Sequence, residues 1–234
     1  LVADIHFQAD LAVAALEAGF DKVRINPGNL RGAGGLERIV AAARDRGAAI
    51  RVGVNSGSVE RALLERHGGP TPEALVESAL GQVGRLEALG FGAIVISIKS
   101  TDTLATLRAC RLLAQRTDHP QHLGITEAGP PGYGELKSAA GLGALLLDGI
   151  GDTLRISLSG DPLPEVRAAV DLLKATVASH PEPRDHRLPD LRAHPGRSGS
   201  AGAGDPGVRR DAPGANTNRS NGLRGQRPGR GARG

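Results

Sequence analysis

Six short runs of apolar and β-branched residues in this chain each end in side chains that carry charge or a hydrogen-bonding group. Parallel strands of a barrel bring their carboxyl ends to one mouth, so this spacing is typical of a single shared site. Together the side chains offer anion binding, with acid–base groups beside the anion. In chain order they are Asp4 and His6, Arg24 and Asn26, Arg51 and Asn55, Lys99, Glu127, and Arg155 and Ser157.

Four of these side chains are cations, whereas only Asp4 and Glu127 are carboxylates. Buried cations are tolerated only where anions meet them, and two carboxylates cannot neutralise four positive charges. Because arginine binds phosphate through two parallel hydrogen bonds, we expect a bound phosphate or diphosphate here. His6, close to Asp4, is the natural proton donor or acceptor. The four cations are Arg24, Arg51, Lys99 and Arg155.

Strands and helices are predicted to alternate along the first three quarters of the chain. Apolar residues three and four positions apart indicate a helix after each strand, and Thr71 followed by Pro72 is typical of a helix start. The predicted strands are Leu1–Ile5, Lys22–Ile25, Ala49–Val54, Ala93–Ile98, His122–Ile125 and Thr153–Leu158. The predicted helices are 11–18, 36–46, 71–89, Thr103–Gln115, Lys137–Leu147 and Pro164–Val177.

Six β–α units in succession predict a parallel α/β sheet with right-handed crossovers. Strands that are apolar on both faces suit a barrel and a doubly wound sheet equally. Polar residues at all six strand ends favour the barrel, because a doubly wound sheet concentrates its site at one switch point. We therefore expect residues 1–180 to form a partial TIM (β/α)8 barrel of about six of the eight units. The other two units are expected to precede Leu1.

Residues 181–234 differ from the rest in composition. They hold 11 of the 29 basic residues and 5 of the 25 acidic residues, so their net charge is +6 and that of residues 1–180 is −2. The sequence pI of 9.8 is therefore a property of this tail, and no nucleic-acid partner is expected for the barrel. A segment rich in Arg, Gly and Pro with almost no apolar content is predicted to be disordered.

The cysteine count and the apolar runs of the sequence indicate where the protein is located. The single cysteine, Cys110, excludes an internal disulfide framework and favours the reducing cytoplasm. Because it shares a helix face with Leu107 and Leu113, we expect a core residue. The sequence contains no run of about 18 apolar residues, so no membrane span is predicted. The histidines lack metal-ligand spacing, so no metal site is predicted.

Seven motifs resemble bacterial 4-hydroxy-3-methylbut-2-enyl diphosphate synthases. The similarity is continuous from Leu1 to about residue 175 and follows the motif order of the family. It is far more specific than general barrel similarity. The motifs are L-V-A-D-I-H-F, K-V-R-I-N-P-G-N, R-V-G-V-N-S-G-S, G-G-P-T-P-E-A-L-V-E-S-A-L, I-S-I-K-S, L-G-I-T-E-A-G and G-I-G-D-T-L-R-I-S-L-S.

The resemblance implies reductive ring opening of 2-C-methyl-D-erythritol 2,4-cyclodiphosphate to 4-hydroxy-3-methylbut-2-enyl diphosphate, a step of the non-mevalonate isoprenoid pathway. It also implies a ferredoxin or flavodoxin as electron donor, a [4Fe-4S] cluster, and a homodimer in which one subunit's cluster domain caps its mate's barrel. Such a cluster needs about four ligands, usually thiolates. This chain has one cysteine, so we expect a substrate site without turnover.

The resemblance also implies residue roles. Asp4, His6 and Glu127 are similar to acid–base or orienting groups near the reacting carbons. The remaining positions are similar to substrate contacts, in agreement with the charge argument. These are Arg24, Asn26, Arg51, Asn55, Lys99, Arg155 and Ser157.

The tail is consistent with a frameshifted iron–sulfur domain. Residues 185–194 can be coded GAT CAC CGC CTG CCC GAC CTG CGG GCG CAC, and the frame one nucleotide on translates as I-T-A-C-P-T-C-G-R. Suitably coded, residues 220–233 contain V-M-G-C-V-V-N-G-P-G-E-A-R in the same alternative frame. These strings resemble the family's three cluster cysteines and the acidic residue that completes the coordination. The hypothesis is that a shifted reading frame has removed the cluster ligands.

Two other classes of function stay open from the residues alone. One is a different phosphate-binding barrel, pterin- or aldolase-like, in which Lys99 would form a Schiff base that borohydride could trap. The other is nucleic-acid binding through the Arg/Gly tail, which lacks Phe and Tyr for base stacking and a repeated RGG unit. Such binding would depend wholly on salt and would survive deletion of residues 1–180.

Overall fold

The structure is a computed structural model that describes residues 1–30 and 33–176, all within the first of the chain's two units, Leu1–His186. Strands and helices alternate in it. The strands are β1 (Val2–Asp4), β2 (Lys22–Ile25), β3 (Ala49–Asn55), β4 (Ile94–Lys99), β5 (His122–Gly124) and β6 (Thr153–Arg155). The helices are α1 (Ala9–Glu17), α2 (Gly35–Asp45), α3 (Arg61–His67), α4 (Pro72–Ala88), α5 (Thr103–Ala114), α6 (Tyr133–Leu147) and α7 (Leu163–Thr176).

All strand pairings between named strands are parallel, which confirms the α/β class. β1 to β4 form one sheet in chain order, and β5 pairs with β6. An isolated bridge from Ile96 to Gln121 joins the two sheets, and the Thr126 amide donates to the Ser100 carbonyl at 3.0 Å. The strands therefore follow one another in sequence, so their carboxyl ends lie along one side.

The strands are not apolar on both faces, so that expectation was wrong. In β2 and β3, every second residue is buried against the helices, and the residues between them are half-buried or small. The physical reason is the alternation of side chains along a strand, which places polar residues on an inner face away from the helices. The outer face carries Val23, Ile25, Ile50, Val52 and Val54, and the inner face carries Lys22, Arg24, Arg51, Gly53 and Asn55.

One helix and one helix start differ from the sequence-based expectation. α3 has no fully buried residue, and only Leu63 and Leu64 pack partly against the core, so its short apolar face gave no pattern that a sequence-based prediction could detect. α6 begins at Tyr133, four residues before the predicted start at Lys137, and its N-cap is Gly132. The predicted start of α4 is confirmed, because the Thr71 hydroxyl accepts a hydrogen bond from the Ala74 amide at 3.3 Å.

Two sequence expectations concern residues beyond Thr176. The boundary at residue 180 and the disordered tail 181–234 lie outside the described residues. Within residues 1–30 and 33–176, no helix is both long and apolar enough to cross a membrane.

Candidate functional site

A cavity of about 150 Å³ lies at the carboxyl ends of the strands, on the inner face. Seven of the ten predicted site residues line it, which places the first strand's acid–base pair beside the cations of four other strands. The lining residues are Asp4, His6, Arg24, Arg51, Gly53, Val54, Asn55, Ser97, Lys99, Thr126 and Arg155. A larger cavity of about 310 Å³ borders the start of α4 and includes Leu104 and Arg108, but none of the predicted site residues. The charge pattern therefore selects the smaller cavity as the candidate site.

Arg24 connects the strands at the first side of the cavity. Its Nη1 donates to Asp4 Oδ1 at 2.9 Å and lies 3.3 Å from His6 Nδ1. Because a guanidinium only donates, this contact makes His6 Nδ1 the acceptor, and the neutral imidazole then carries its proton on Nε2. His6 Nε2 lies 3.7 Å from Asp4 Oδ1. The three side chains thus form one polar group whose imidazole N–H faces a carboxylate.

Gly53 makes room for Arg24. A Cβ built on Gly53 would lie 2.2 Å from Arg24 Nε and 2.9 Å from Arg24 Cζ, closer than real contacts allow. Arg24 Nη2 also donates to the Gly53 carbonyl at 3.5 Å. The lack of a side chain on β3 therefore sets the position of a cation that belongs to β2.

Arg51 and Lys99 lie in a strongly cationic environment. Burial lowers the pKa of Lys99 to about 7, with further lowering by Arg155, Arg51 and Arg24 that Asp4 only partly offsets. Burial also lowers the pKa of Arg51, and Arg24 and Arg155 add to that effect against Asp4. Arg51 Nε is buried without a hydrogen-bond partner among the described residues. Among residues 1–30 and 33–176, Asp4 offsets the positive charge around these groups only in part, as expected for a site that binds an anion.

His122 lies beside the cations, although no role was predicted for it from the sequence. Burial and the charges of Lys99, Arg51 and Arg155 lower its pKa to about 2, so its imidazole is neutral. Its Nδ1 is 2.9 Å from Thr153 Oγ1. Strand alternation could have found it, since His122 lies two residues before Gly124, where an added Cβ would lie 3.1 Å from Lys99 Cε.

Three predicted site residues do not line the cavity. Asn26 is buried, and its Oδ1 accepts a hydrogen bond from the Gly28 amide at 3.0 Å. Glu127 is exposed with φ of 51°, a left-handed conformation that is uncommon for glutamate. Ser157 is half-buried two residues beyond the end of β6. All three follow strand ends, so they lie at the same side of the sheet as the cavity without contributing to its wall.

Residues 1–170 match the family model described as the GcpE TIM-barrel domain. The chain belongs to this family. The parallel strands of this GcpE domain are therefore those of a TIM barrel, and the candidate site lies on their inner face.

Curated relatives of this GcpE domain carry the name 4-hydroxy-3-methylbut-2-en-1-yl diphosphate synthase (flavodoxin). The protein of Geobacter sulfurreducens is 57% identical over 175 residues, which are 75% of this chain and 50% of the relative. That of Caldanaerobacter subterraneus is 53% identical over 175 residues, 75% of this chain and 49% of the relative. The chain thus spans about half the length of the curated relatives it matches.

A solved structure of (S)-3-O-geranylgeranylglyceryl phosphate synthase from Thermoplasma acidophilum is 11% identical, with a TM-score of 0.30, over 74% of this chain and 94% of that chain. This similarity is too low to support a structural conclusion.

The residues of this GcpE domain do not fit an iron–sulfur cluster. Cys110 is the only cysteine of the 234 residues. It is buried in α5, where its Sγ lies 3.9 Å from the Ile98 carbonyl oxygen, and burial raises the pKa of its thiol to about 12. The described residues contain no group of three His, Cys, Asp or Glu side chains that could hold a metal ion. Cys110 is therefore a core residue, as predicted, and not a ligand.

Proposed function

We propose that this chain binds 2-C-methyl-D-erythritol 2,4-cyclodiphosphate in the cavity at the strand ends. The proposal draws on the family, on the names of the relatives and on the charge of the site. The substrate carries two phosphate groups, and the cavity presents three arginines and a lysine against one carboxylate, Asp4. The cavity of about 150 Å³ is open to solvent on the side of Asp4 and His6, whose side chains are about half exposed.

The observation that carries the proposal is the electrostatic state of Arg51 and Lys99. Both pKa values are lowered because each group is buried among other cations. A bound diphosphate would supply the missing negative charge and give Arg51 Nε its hydrogen-bond partner. A purely structural role would instead pair each cation with a carboxylate, and within the part of the chain that the structure describes only Arg24 among these four cations has such a pair.

The roles of the other site residues follow from position. Asp4 and His6 would orient a proton near the reacting carbons, because the Arg24 contact leaves a donor at His6 Nε2. Asn55 and Arg155 would bind phosphate oxygens from the cavity wall. Asn26, Glu127 and Ser157 stay proposed as contacts or orienting groups from the loops beyond the strands.

The residues of this chain do not supply the electron transfer that the reaction of the family requires. A [4Fe-4S] cluster, a ferredoxin or flavodoxin donor and a capping domain from a homodimer mate belong to the proposed complete enzyme. With Cys110 as the sole cysteine, the printed chain cannot ligate that cluster. We therefore propose substrate binding without turnover for these 234 residues.

Calorimetric titration of the 234-residue chain with the cyclodiphosphate tests this function. We expect one saturable binding event and no 4-hydroxy-3-methylbut-2-enyl diphosphate when reduced flavodoxin is added. Arg51→Met should weaken binding by at least about tenfold, because a charged hydrogen bond to phosphate contributes about 1.5–3 kcal/mol. Arg61→Met is the matched control, since Arg61 is exposed and pairs with Glu65 on α3. No binding by the unmodified chain, or equal losses in both variants, would contradict the proposal.

The finer architecture is part of the same proposal. Residues 1–180 would supply six of the eight barrel units, and residues 181–234 would be a frameshifted product of the cluster-domain coding sequence. Sequencing the gene from about codon 165 onward decides the second point. We expect C-P-T-C-G-R and G-C-V-V-N-G-P-G-E in the alternative frame. Codons that spell neither motif would refute the frameshift.

A further inference from the structure

Gln82 of α4 is a buried polar residue outside the cavity, and it lies between two opposite charges. Its side chain is almost wholly buried, at 5% exposure for the residue. Gln82 Nε2 donates to Glu60 Oε1, and Gln82 Oε1 accepts from Arg85 Nη1 at 3.1 Å. The amide therefore links a carboxylate and a guanidinium. Both of its ends have charged partners, which makes these hydrogen bonds stronger than neutral ones.

The two charged partners reach different loops. Arg85 Nη1 also donates to the Pro27 carbonyl at 3.1 Å, in the loop after β2. Glu60 is the residue before α3, in the segment after β3. A Cβ on Gly28 would lie 2.9 Å from Gln82 Nε2, so the loop after β2 passes close over the amide. Through Gln82, one helix thus holds both loops.

Those loops carry two of the proposed substrate contacts. The Asn26 side chain accepts the Gly28 amide at 3.0 Å, and the Asn55 side chain accepts the Gly57 amide at 3.1 Å. Each asparagine side chain thereby closes its own turn, and the attachment of that turn to the rest of the domain sets where the asparagine lies. α4 supplies a fixed reference, because it packs on β3 and β4.

We propose that Gln82 is a positioning residue, which fixes the Asn26 and Asn55 turns relative to each other and thereby holds Asn55 in the cavity wall where the ligand binds. This rests on the proposed cyclodiphosphate site. Glutamine suits the position because one end must donate to a carboxylate and the other must accept from an arginine. A carboxylate at residue 82 would place two negative charges side by side in a buried setting.

An exchange of the two polar groups tests the proposal. In Gln82→Glu the donor to Glu60 is lost, and we expect cyclodiphosphate binding to weaken by about tenfold or more, the cost of a disrupted buried charged network. In Glu60→Gln/Gln82→Glu the donor and acceptor change places, and affinity should return to within about threefold of the unmodified chain. Gln115→Glu, an equal charge change at an exposed site, should bind normally. If Gln82→Glu does not fold, Arg85→Met replaces it, with the same expected loss.

Hydrogen exchange of the Gly28 and Gly57 amides, followed by NMR without ligand, separates this proposal from the proposed function. We expect faster exchange in Gln82→Glu and recovery in the double variant. If the unmodified chain fails to bind the cyclodiphosphate, the proposed function fails while the amide readout still reports the turns. Unchanged exchange and affinity in Gln82→Glu, or a double variant as weak as the single one, would overturn the positioning role.

Discussion

Substitution of Gly53 by alanine should weaken cyclodiphosphate binding by at least about tenfold, because it removes one charged contact worth about 1.5–3 kcal/mol. The stability of the fold should change little. The added Cβ would lie 2.2 Å from Arg24 Nε, so the guanidinium has to leave its position. Arg24 is a flexible side chain and can swing toward solvent, whereas Gly53 lies in a strand whose backbone alanine adopts readily. The cost therefore falls on the site: Asp4 and His6 lose their common partner.

Two variants make the Gly53 test specific. Arg24→Met should match Gly53→Ala in affinity, since both remove the same cation from the cavity. Gly84→Ala is the matched control, because no atom lies within 4 Å of its Cβ position on the exposed side of α4. That change should leave binding intact and stabilise the fold by about 0.5–1 kcal/mol. Calorimetry and urea unfolding measure both quantities. Full affinity in Gly53→Ala would contradict the assignment of Arg24 to the ligand.

Most of the fold could be predicted because the helices of a β–α protein bury one face against the sheet. All six predicted strands are present, with their ends shifted by at most three residues. The helices with an apolar face, such as α2 and α5, were found for the same reason. α3 was missed because it is short and its apolar residues Leu63 and Leu64 are only half-buried, so its periodic signal is weak.

The polar inner face of the sheet was harder to predict from the sequence than the strands themselves. Short apolar runs dominated the pattern of β3, and the interposed Arg51 and Gly53 did not stand out as a second face. The convergence of seven site residues could still be predicted without knowing the face of each side chain. The carboxyl ends of the parallel strands lie at one mouth of the barrel. Spacing does not show which residues beyond a strand lie outside the cavity wall, as Asn26 does while its side chain accepts from the Gly28 amide.

Contacts between distant segments were also beyond the sequence. Nothing in the local pattern relates Gly53 to Arg24, because their relation arises from the register that pairs Arg24 with Arg51. The cationic neighbours of His122 also come from other strands, so its sequence showed only the alternation with Gly124 and not the charges around it. A cation that is placed to bind an anion destabilises the fold while the anion is absent. Replacing such a cation should therefore stabilise the free chain and weaken binding.

Lys99→Met should raise the stability of the ligand-free chain and weaken cyclodiphosphate binding by about tenfold or more, the effect of one lost charged contact. In the folded chain the pKa of Lys99 falls to about 7 from 10.5, because burial and neighbouring cations disfavour the ammonium. Below pH 7 Lys99 is charged in both states, so it destabilises the fold fully. Methionine keeps most of the length of the side chain and removes that charge. The groups that act on Lys99 are Arg155, Arg51, Arg24 and Asp4, and His122 faces it in the neutral form.

The pH dependence fixes the sign of this effect. Between pH 7 and 10.5 the unfolded chain binds more protons at Lys99 than the folded chain, so the stability of the lysine protein rises with pH relative to the variant. The advantage of Lys99→Met should therefore be full below about pH 7 and vanish toward 10.5. Urea unfolding at several pH values measures it, with Lys174→Met, an exposed lysine on α7, as the control. Ligand binding should take up a proton near neutral pH, because the diphosphate returns the pKa of Lys99 toward its ordinary value. A variant that is less stable than the lysine protein at pH 6 would show that Lys99 is paired in the free chain, and the anion site would then lack its electrostatic basis.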